Sequence, residues 1–134
     1  MDTLSDMLTI IRNGLLAKKR KVTIPHSFFK EEIAKLLKKE GYLRSVKREG
    51  KENKKSLIIG LKYLQGRPTI REIKPISKPG KRIYIQARDI RPYKPYAGQG
   101  KGVGIMVVST SKGLLTGSQA KKKNLGGQLL FKLY

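Results

Sequence analysis

The chain has 134 residues, of which 31 are Lys or Arg and nine are Asp or Glu, so its formal net charge is +22 at pH 7. This length allows one compact domain or two small ones with a buried core. With 38% hydrophobic residues, the sequence is not that of a disordered basic tail. The excess of cations favours a polyanionic partner, nucleic acid above all, over an acidic small molecule.

The sequence lacks the residue combinations that several classes of catalytic and metal site require. It has no Cys, which excludes disulfides, thiolate nucleophiles and thiolate metal sites. The single His, His26, has no Gly-x-Ser-x-Gly motif beside it, and the acids form no paired catalytic set. The glycine run over 98–104 lacks the spacing of a nucleotide-binding loop. We therefore predict no catalytic residue, no metal site, no cofactor and no small-molecule substrate.

Membrane and targeting segments are also not expected. The longest uncharged run lies between Lys101 and Lys112, far short of the ~18 residues that a membrane-spanning helix needs. Asp2 and Asp6 occupy positions where a targeting peptide would carry Lys or Arg. We expect a soluble protein with no membrane partner and no targeting peptide.

The first half of the sequence predicts a helix-strand-helix-strand-strand unit. Apolar residues recur at helical spacing over 4–15, and Asn13-Gly14 marks the end of the first helix to within a few residues. Ser27 is the predicted N-cap of the second helix, and Glu31 lies in its first turn, where an acid complements the helix dipole. The predicted core face of this helix consists of Phe29, Ile33, Leu36 and Leu37. Strands are predicted over 22–24, 42–47 and 56–63.

The second half predicts a mostly β unit with one short helix. Its strands are expected over 69–76, 82–85, 105–108 and 128–134. The short basic helix should begin at Thr116 or Ser118, and the Pro- and Gly-rich stretch over 91–104 predicts a mobile basic loop. A joint in the segment 65–68 divides the chain into units 1–66 and 67–134, which together indicate an α+β fold.

The strongest positive signal is the segment Ser109-Thr110-Ser111-Lys112-Gly113, which directly follows the predicted strand over 105–108. Its hydroxyl groups can bond phosphate and 2′-hydroxyl oxygens, while the glycine allows the backbone to approach a ligand closely. Composition alone favours equally a Ser/Thr-rich turn that caps the next helix.

Five segments in series resemble the bacterial-type family of small-subunit ribosomal protein eight. They lie at 6–14, 61–66, 79–84, 104–113 and 125–128, in the order that the family has. The resemblance implies an α+β protein of two small packed units and no enzymatic activity. It also implies a structural constituent of the small ribosomal subunit, in a bacterium or an organelle, with neighbouring ribosomal proteins as partners. The implied RNA partner is the central domain of small-subunit ribosomal RNA, bound early in assembly and mainly by the C-terminal half.

The resemblance also assigns RNA-binding residues. In the C-terminal half they are Ser109, Thr110, Ser111, Lys112, Gly113, Pro79, Arg82, Tyr84 and Gln128. In the N-terminal half they are Ser27 and Lys30, and a cation at a helix N-terminus independently favours a nearby phosphate. Gln128 stands where the family generally has an acidic residue, and its amide can donate as well as accept hydrogen bonds.

Two alternatives from other classes remain open. A free-standing nucleic-acid chaperone or DNA-compacting protein would also be basic, but it would not need the Ser-Thr-Ser segment. A phosphoryl-transfer or hydrolytic enzyme would have to use His26 as its base. Equal affinity for a ribosomal helix and a random duplex would favour the chaperone, and loss of function on replacement of His26 would favour the enzyme.

Overall fold

The computed structural model describes residues 3–51, 53–94 and 104–134. Contacts divide the chain into two compact units, of which the first ends at Ile70 and the second begins at Arg71. Each unit combines helix with antiparallel sheet, so the predicted α+β class is confirmed. No helix formed by the described residues is both long and apolar enough to cross a bilayer.

The first unit follows the predicted helix-strand-helix-strand-strand order and ends in a small hairpin. Its elements are α1 Thr3–Leu16, β1 Lys21–Pro25, α2 Phe28–Lys39, β2 Leu43–Glu49, β3 Ser56–Leu61, β4 Tyr63–Leu64 and β5 Arg67–Pro68. The antiparallel sheet has the order β1-β3-β2, and β4 pairs with β5. Gln65 and Gly66, with φ of 53° and 76°, form the turn of this hairpin. The strand predicted over 56–63 therefore ends at Leu61, and Tyr63 belongs to β4.

Helix α1 packs its apolar stripe against β1 and β3. The helix continues to Leu16, within a few residues of its predicted end at Asn13-Gly14. A Cβ on Gly14 would lie 2.5 Å from Cγ1 of Val22 and 3.0 Å from Cδ1 of Leu61. Gly14 therefore permits close packing of the helix on the sheet instead of ending the helix.

Helix α2 packs against β2, and its predicted core face is only partly correct. Ile33 and Leu37 are fully buried, but Leu36 is half-buried and Phe29 is 39% exposed. Ala34 is fully buried in their place. At about 100° per residue the buried stripe centres between Ile33 and Ala34, so Phe29 and Leu36 lie at its margins.

The second unit is mostly β, as predicted, with a single short α-helix among its described residues. Its elements are β6 Ile73–Pro75, β7 Tyr84–Ile85, a 3₁₀ turn Ala87–Asp89, β8 Ile105–Thr110, β9 Gly113–Thr116, α3 Gly117–Lys122 and β10 Gly127–Leu133. The sheet has the order β6-β10-β8-β9, and β7 also pairs with β10. A buried cluster on the sheet consists of Ile90, Met106, Val108, Ala120 and Leu129.

Three boundaries in the second unit differ from the prediction. The strands predicted over 69–76 and 82–85 shrink to β6 and β7, while β8 extends beyond residue 108 to Thr110. Thr116, not Ser118, caps α3, in a capping box with Gln119. The predicted basic loop lies mostly outside the described residues, at 95–103, and the residues on either side of this gap include the antiparallel pair Tyr93 and Gly104.

Candidate nucleic-acid interface

The Ser-Thr-Ser segment forms the tip of the hairpin that joins β8 to β9. Thr110 pairs with Gly113, and Ser111 and Lys112 make the turn between them. The alternative interpretation of this segment as the cap of the next helix is wrong, because that cap is Thr116. The hydroxyl groups therefore span the end of a sheet strand and an exposed turn.

Thr110 stabilises this turn through its own hydroxyl group. Its Oγ1 donates to the carbonyl oxygen of Gly113 at 2.7 Å and accepts from the backbone N–H of Lys112 at 3.2 Å. Gly113 has φ of 104°, a left-handed conformation that favours glycine. Ser111, Lys112 and Gly113 are exposed. Thr110 thus fixes the turn, and Ser111 and Lys112 present their side chains to solvent.

Three of the predicted RNA-binding residues form a row across three adjacent strands. Gln128 of β10 lies directly opposite Tyr84 of β7 on one side and Ser109 of β8 on the other. Directly opposed residues in a sheet project their side chains from the same face. Tyr84 is 70% exposed, and Nε2 of Gln128 is a buried donor without a hydrogen-bond partner in the described part of the chain. This row, together with residues 109–113, is called the hairpin surface below.

Glycine allows the strands to meet at the hairpin surface. Gly127 pairs with Thr110 on one side and with Ile85 on the other. A Cβ on Gly127 would overlap the backbone oxygen of Ser109. A side chain at this position would therefore push β10 away from β8 and break the row.

Ser77 fixes the approach to β7, and sequence reasoning missed it. This residue is 5% exposed; its hydroxyl donates to the carbonyl oxygen of Leu129 at 2.6 Å and accepts from the N–H of Ile83 at 3.0 Å. It thereby ties the segment before Tyr84 to β10. A single serine outside any periodic pattern gives no signal in the sequence.

Pro79 and Arg82 lie on the exposed segment that Ser77 anchors. Pro79 is in a turn closed by the antiparallel pair Lys78 and Lys81. Arg82 is exposed two residues before Tyr84. The second unit therefore contains nine of the eleven predicted RNA-binding residues, seven of them on the hairpin surface.

The other two predicted residues, Ser27 and Lys30, lie in the first unit. Oγ of Ser27 accepts from the backbone N–H of Lys30 at 3.1 Å, which confirms the N-cap of α2. Nζ of Lys30 donates to the carbonyl oxygen of Pro25 at 3.1 Å. A backbone oxygen already accepts from this ammonium group, so its place near the helix N-terminus does not by itself indicate a phosphate.

A buried carboxylate, also missed from the sequence, organises the start of α2. Glu31 is 5% exposed and accepts from Arg48 through Nε at 2.5 Å and Nη2 at 3.1 Å. Lys35 Nζ lies 2.9 Å from Oε2, and His26 Nε2 lies 2.8 Å from Oε1. The hydrogen bonds from Arg48, then from Lys35, lower the pKa of Glu31 from 4.5 to about 2, against the opposing effect of burial. We call these four residues the carboxylate cluster.

The two sites differ in the ligands that they can bind. The described residues contain no group of three or more His, Cys, Asp or Glu side chains that could hold a metal ion. The carboxylate of Glu31 already contacts Arg48, Lys35 and His26. The hairpin surface offers hydroxyl, amide, phenol and ammonium groups, which suit a ligand rich in oxygen acceptors.

Comparison with known proteins identifies the family of the chain. The family model described as ribosomal protein S8 matches residues 2–134. A small ribosomal subunit protein uS8 from Nitratidesulfovibrio vulgaris is 43% identical over 133 residues, which cover 99% of this chain and 98% of the relative. One of the same name from Persephonella marina is 44% identical over 135 residues, with 96% and 95% coverage. The chain belongs to the ribosomal protein S8 family.

Proposed function

We propose that the chain is a structural, non-enzymatic constituent of the small ribosomal subunit and binds the central domain of small-subunit ribosomal RNA. Membership of the S8 family supports the ribosomal role, since the relatives are named as small-subunit proteins. These relatives are bacterial, which supports a bacterial ribosome as its location over an organellar one. Neighbouring ribosomal proteins are the other proposed partners.

The observation that carries the RNA-binding proposal is the row of Tyr84, Gln128 and Ser109 beside the exposed turn. Double-stranded RNA is recognised largely by shape and by its 2′-hydroxyl and phosphate oxygens, because its major groove is too deep and narrow for side chains to read. A rigid sheet face that presents neutral polar groups at fixed spacing suits such a ligand. A generic polyanion binder needs only charge, so the row favours a specific RNA.

The proposed roles of individual residues follow from their surroundings. Ser111 donates to RNA oxygens, and the half-buried Gln128 lies in the row between Tyr84 and Ser109. Tyr84 offers an exposed ring and a hydroxyl, and Arg82 pairs with phosphate. Thr110 acts indirectly, since its hydroxyl is engaged within the turn.

Affinity for a central-domain RNA fragment, compared with a random duplex of equal length and at equal salt, tests this function. We expect the fragment to bind at least about 100-fold more tightly, by analogy with the preference of specific DNA-binding proteins for their sites. Equal affinity would contradict the proposal and favour a free-standing chaperone. Heparin, which carries charge without RNA shape, should compete with the duplex more effectively than with the fragment.

A further inference from the structure

Phe28, the first residue of α2, is the most exposed aromatic residue in the described part of the chain. It is 73% exposed, and its neighbour Phe29 is 39% exposed. Scattered apolar residues on a surface are common and do not by themselves indicate a binding site. Leu16 and Leu64, at 77% and 62% exposure, are ordinary examples. The surroundings of Phe28 distinguish it from these two.

The Phe28 ring is held by two groups that are bonded to the same buried carboxylate. The guanidinium carbon of Arg48 lies over the ring, 5.9 Å from its centroid. The His26 ring packs at 5.4 Å with an interplanar angle of 77°. Arg48 and His26 both bond to Glu31. The carboxylate cluster thus fixes an exposed aromatic ring beside a guanidinium group before any ligand arrives.

We propose that Phe28 is a stacking platform for one nucleotide of an RNA strand. Single-stranded nucleic acid is bound by aromatic rings that stack on bases and by cations that follow the backbone. Glu31 carries one negative charge against the charges of Arg48 and Lys35, so the cluster keeps an excess of positive charge. The whole chain has a charge of +22. A partner that has both π faces and negative charge therefore matches the Phe28 ring and the cations beside it.

This inference rests on the proposed function in one respect: it adds a contact in the first unit to the RNA that the hairpin surface binds. It differs in chemistry, because a base on Phe28 must be unpaired and splayed from its helix. The hairpin surface, by contrast, suits the oxygens of a folded helix. The two contacts can therefore fail separately.

The first test is fluorescence, since the chain contains no Trp and Phe28→Trp introduces a single reporter. Full-length small-subunit ribosomal RNA should quench its emission by base stacking, and heparin, which has no bases, should not. Equal quenching by both, or by neither, would overturn the inference. Quenching that requires added small-subunit proteins would also overturn it, because a protein would then cover the ring.

The second test is affinity for the same RNA. Phe28→Leu keeps an apolar side chain without an aromatic face, and it should weaken binding by about 5- to 150-fold, as expected for one lost base stack. Leu64→Ala is the matched control and should change affinity less than about twofold, as expected for an exposed site away from the interface. Circular dichroism confirms that each variant is folded.

The two proposals can be distinguished by the outcome. If Phe28→Leu binds as tightly as the native chain while Ser111→Ala binds more weakly, the stacking platform is contradicted and the proposed function is not. If Phe28→Leu lowers the affinity for RNA but the native chain shows no preference for ribosomal RNA, the platform is supported and the proposed function is contradicted.

Discussion

The hairpin surface and the carboxylate cluster are built by opposite means in the same basic chain. In the hairpin surface, strand pairing and neutral hydrogen bonds set the positions of hydroxyl and amide groups. In the carboxylate cluster, three cationic or ionisable side chains converge on one buried acid. The contrast teaches that net charge and specific recognition are separate properties. In the proposed function, charge attracts a polyanion over a distance, whereas the neutral groups of the hairpin surface discriminate by shape.

The largest expected effect tests the claim that close strand packing at Gly127 is needed to build the hairpin surface. Gly127→Ala places a Cβ against the backbone oxygen of Ser109, which cannot rotate away. We expect the free energy of unfolding to fall by about 3 kcal/mol, the upper end of the usual cost of overpacking. Urea denaturation measures it. Gly117→Ala is the control, because its Cβ would lie 3.3 Å from a side-chain atom of Ile90 and would not overlap backbone. Equal stability of the two variants would refute this role of Gly127.

A second prediction separates direct from indirect contributions within the turn. Ser111→Ala removes a donor from a surface that RNA desolvates, so binding to the central-domain fragment should weaken by about 1–3 kcal/mol. Thr110→Val removes the hydroxyl that bonds Gly113 and Lys112, and it should weaken binding by loosening the turn. Thr110→Ser keeps both bonds and should bind nearly as tightly as the native chain. Titrations followed by filter binding measure all three. Equal losses for Thr110→Ser and Thr110→Val would show that the hydroxyl is not the group that matters.

Acid should weaken the carboxylate cluster selectively. The folded-state pKa of Glu31 is about 2, below its ordinary 4.5, so its stabilising contribution is present above pH 4.5 and is lost as the pH falls toward 2. Glu31→Gln should lower stability at neutral pH and flatten its pH dependence in this range. Thermal unfolding between pH 2 and pH 7 provides the measurement. The exposed Glu32→Gln is the control, and an identical pH profile in both variants would contradict the account.

The smallest predicted effect concerns long-range charge on α3. Lys122 is exposed, and Lys122→Ala should weaken RNA binding by less than about 1 kcal/mol, as is usual for one solvated charge. If Lys122 neutralises one phosphate, the slope of log K against log salt should flatten by roughly 0.7 to 0.9. Lys121 is a poorer probe, because its Nζ donates to the carbonyl oxygen of Ile90 at 2.9 Å. An unchanged slope for Lys122→Ala would show that this residue contacts no phosphate.

Periodicity and resemblance predicted much of the fold and part of the site. The spacing of apolar residues was enough for α1 and α2, because each has one strongly buried face. A continuous apolar run was enough for β8, in which Met106, Val107 and Val108 are all buried. The row of Tyr84, Gln128 and Ser109 was not predictable, because register between strands far apart in sequence depends on packing that no local pattern records.

The carboxylate cluster was missed for a related reason. An acid in the first turn of a helix is ordinarily explained by the helix dipole, so nothing in the sequence marked Glu31 as buried. Its partner Arg48 lies just beyond the strand predicted over 42–47, whereas β2 continues to Glu49 and pairs Arg48 with Leu57. The exact end of α1 was not predictable from Gly14, because a glycine that ends a helix and one that permits close packing look alike in sequence.

Salt dependence of binding to the central-domain fragment tests the central claim most directly. The native chain, Ser111→Ala and Lys122→Ala are titrated over a common series of salt concentrations. We predict that Ser111→Ala binds more weakly than the native chain by a constant factor at every salt, with the same slope. Lys122→Ala should lose less affinity and show a flatter slope. A Ser111→Ala defect that vanishes at high salt, or a larger loss for Lys122→Ala than for Ser111→Ala, would contradict recognition through neutral hydrogen bonds of the hairpin surface.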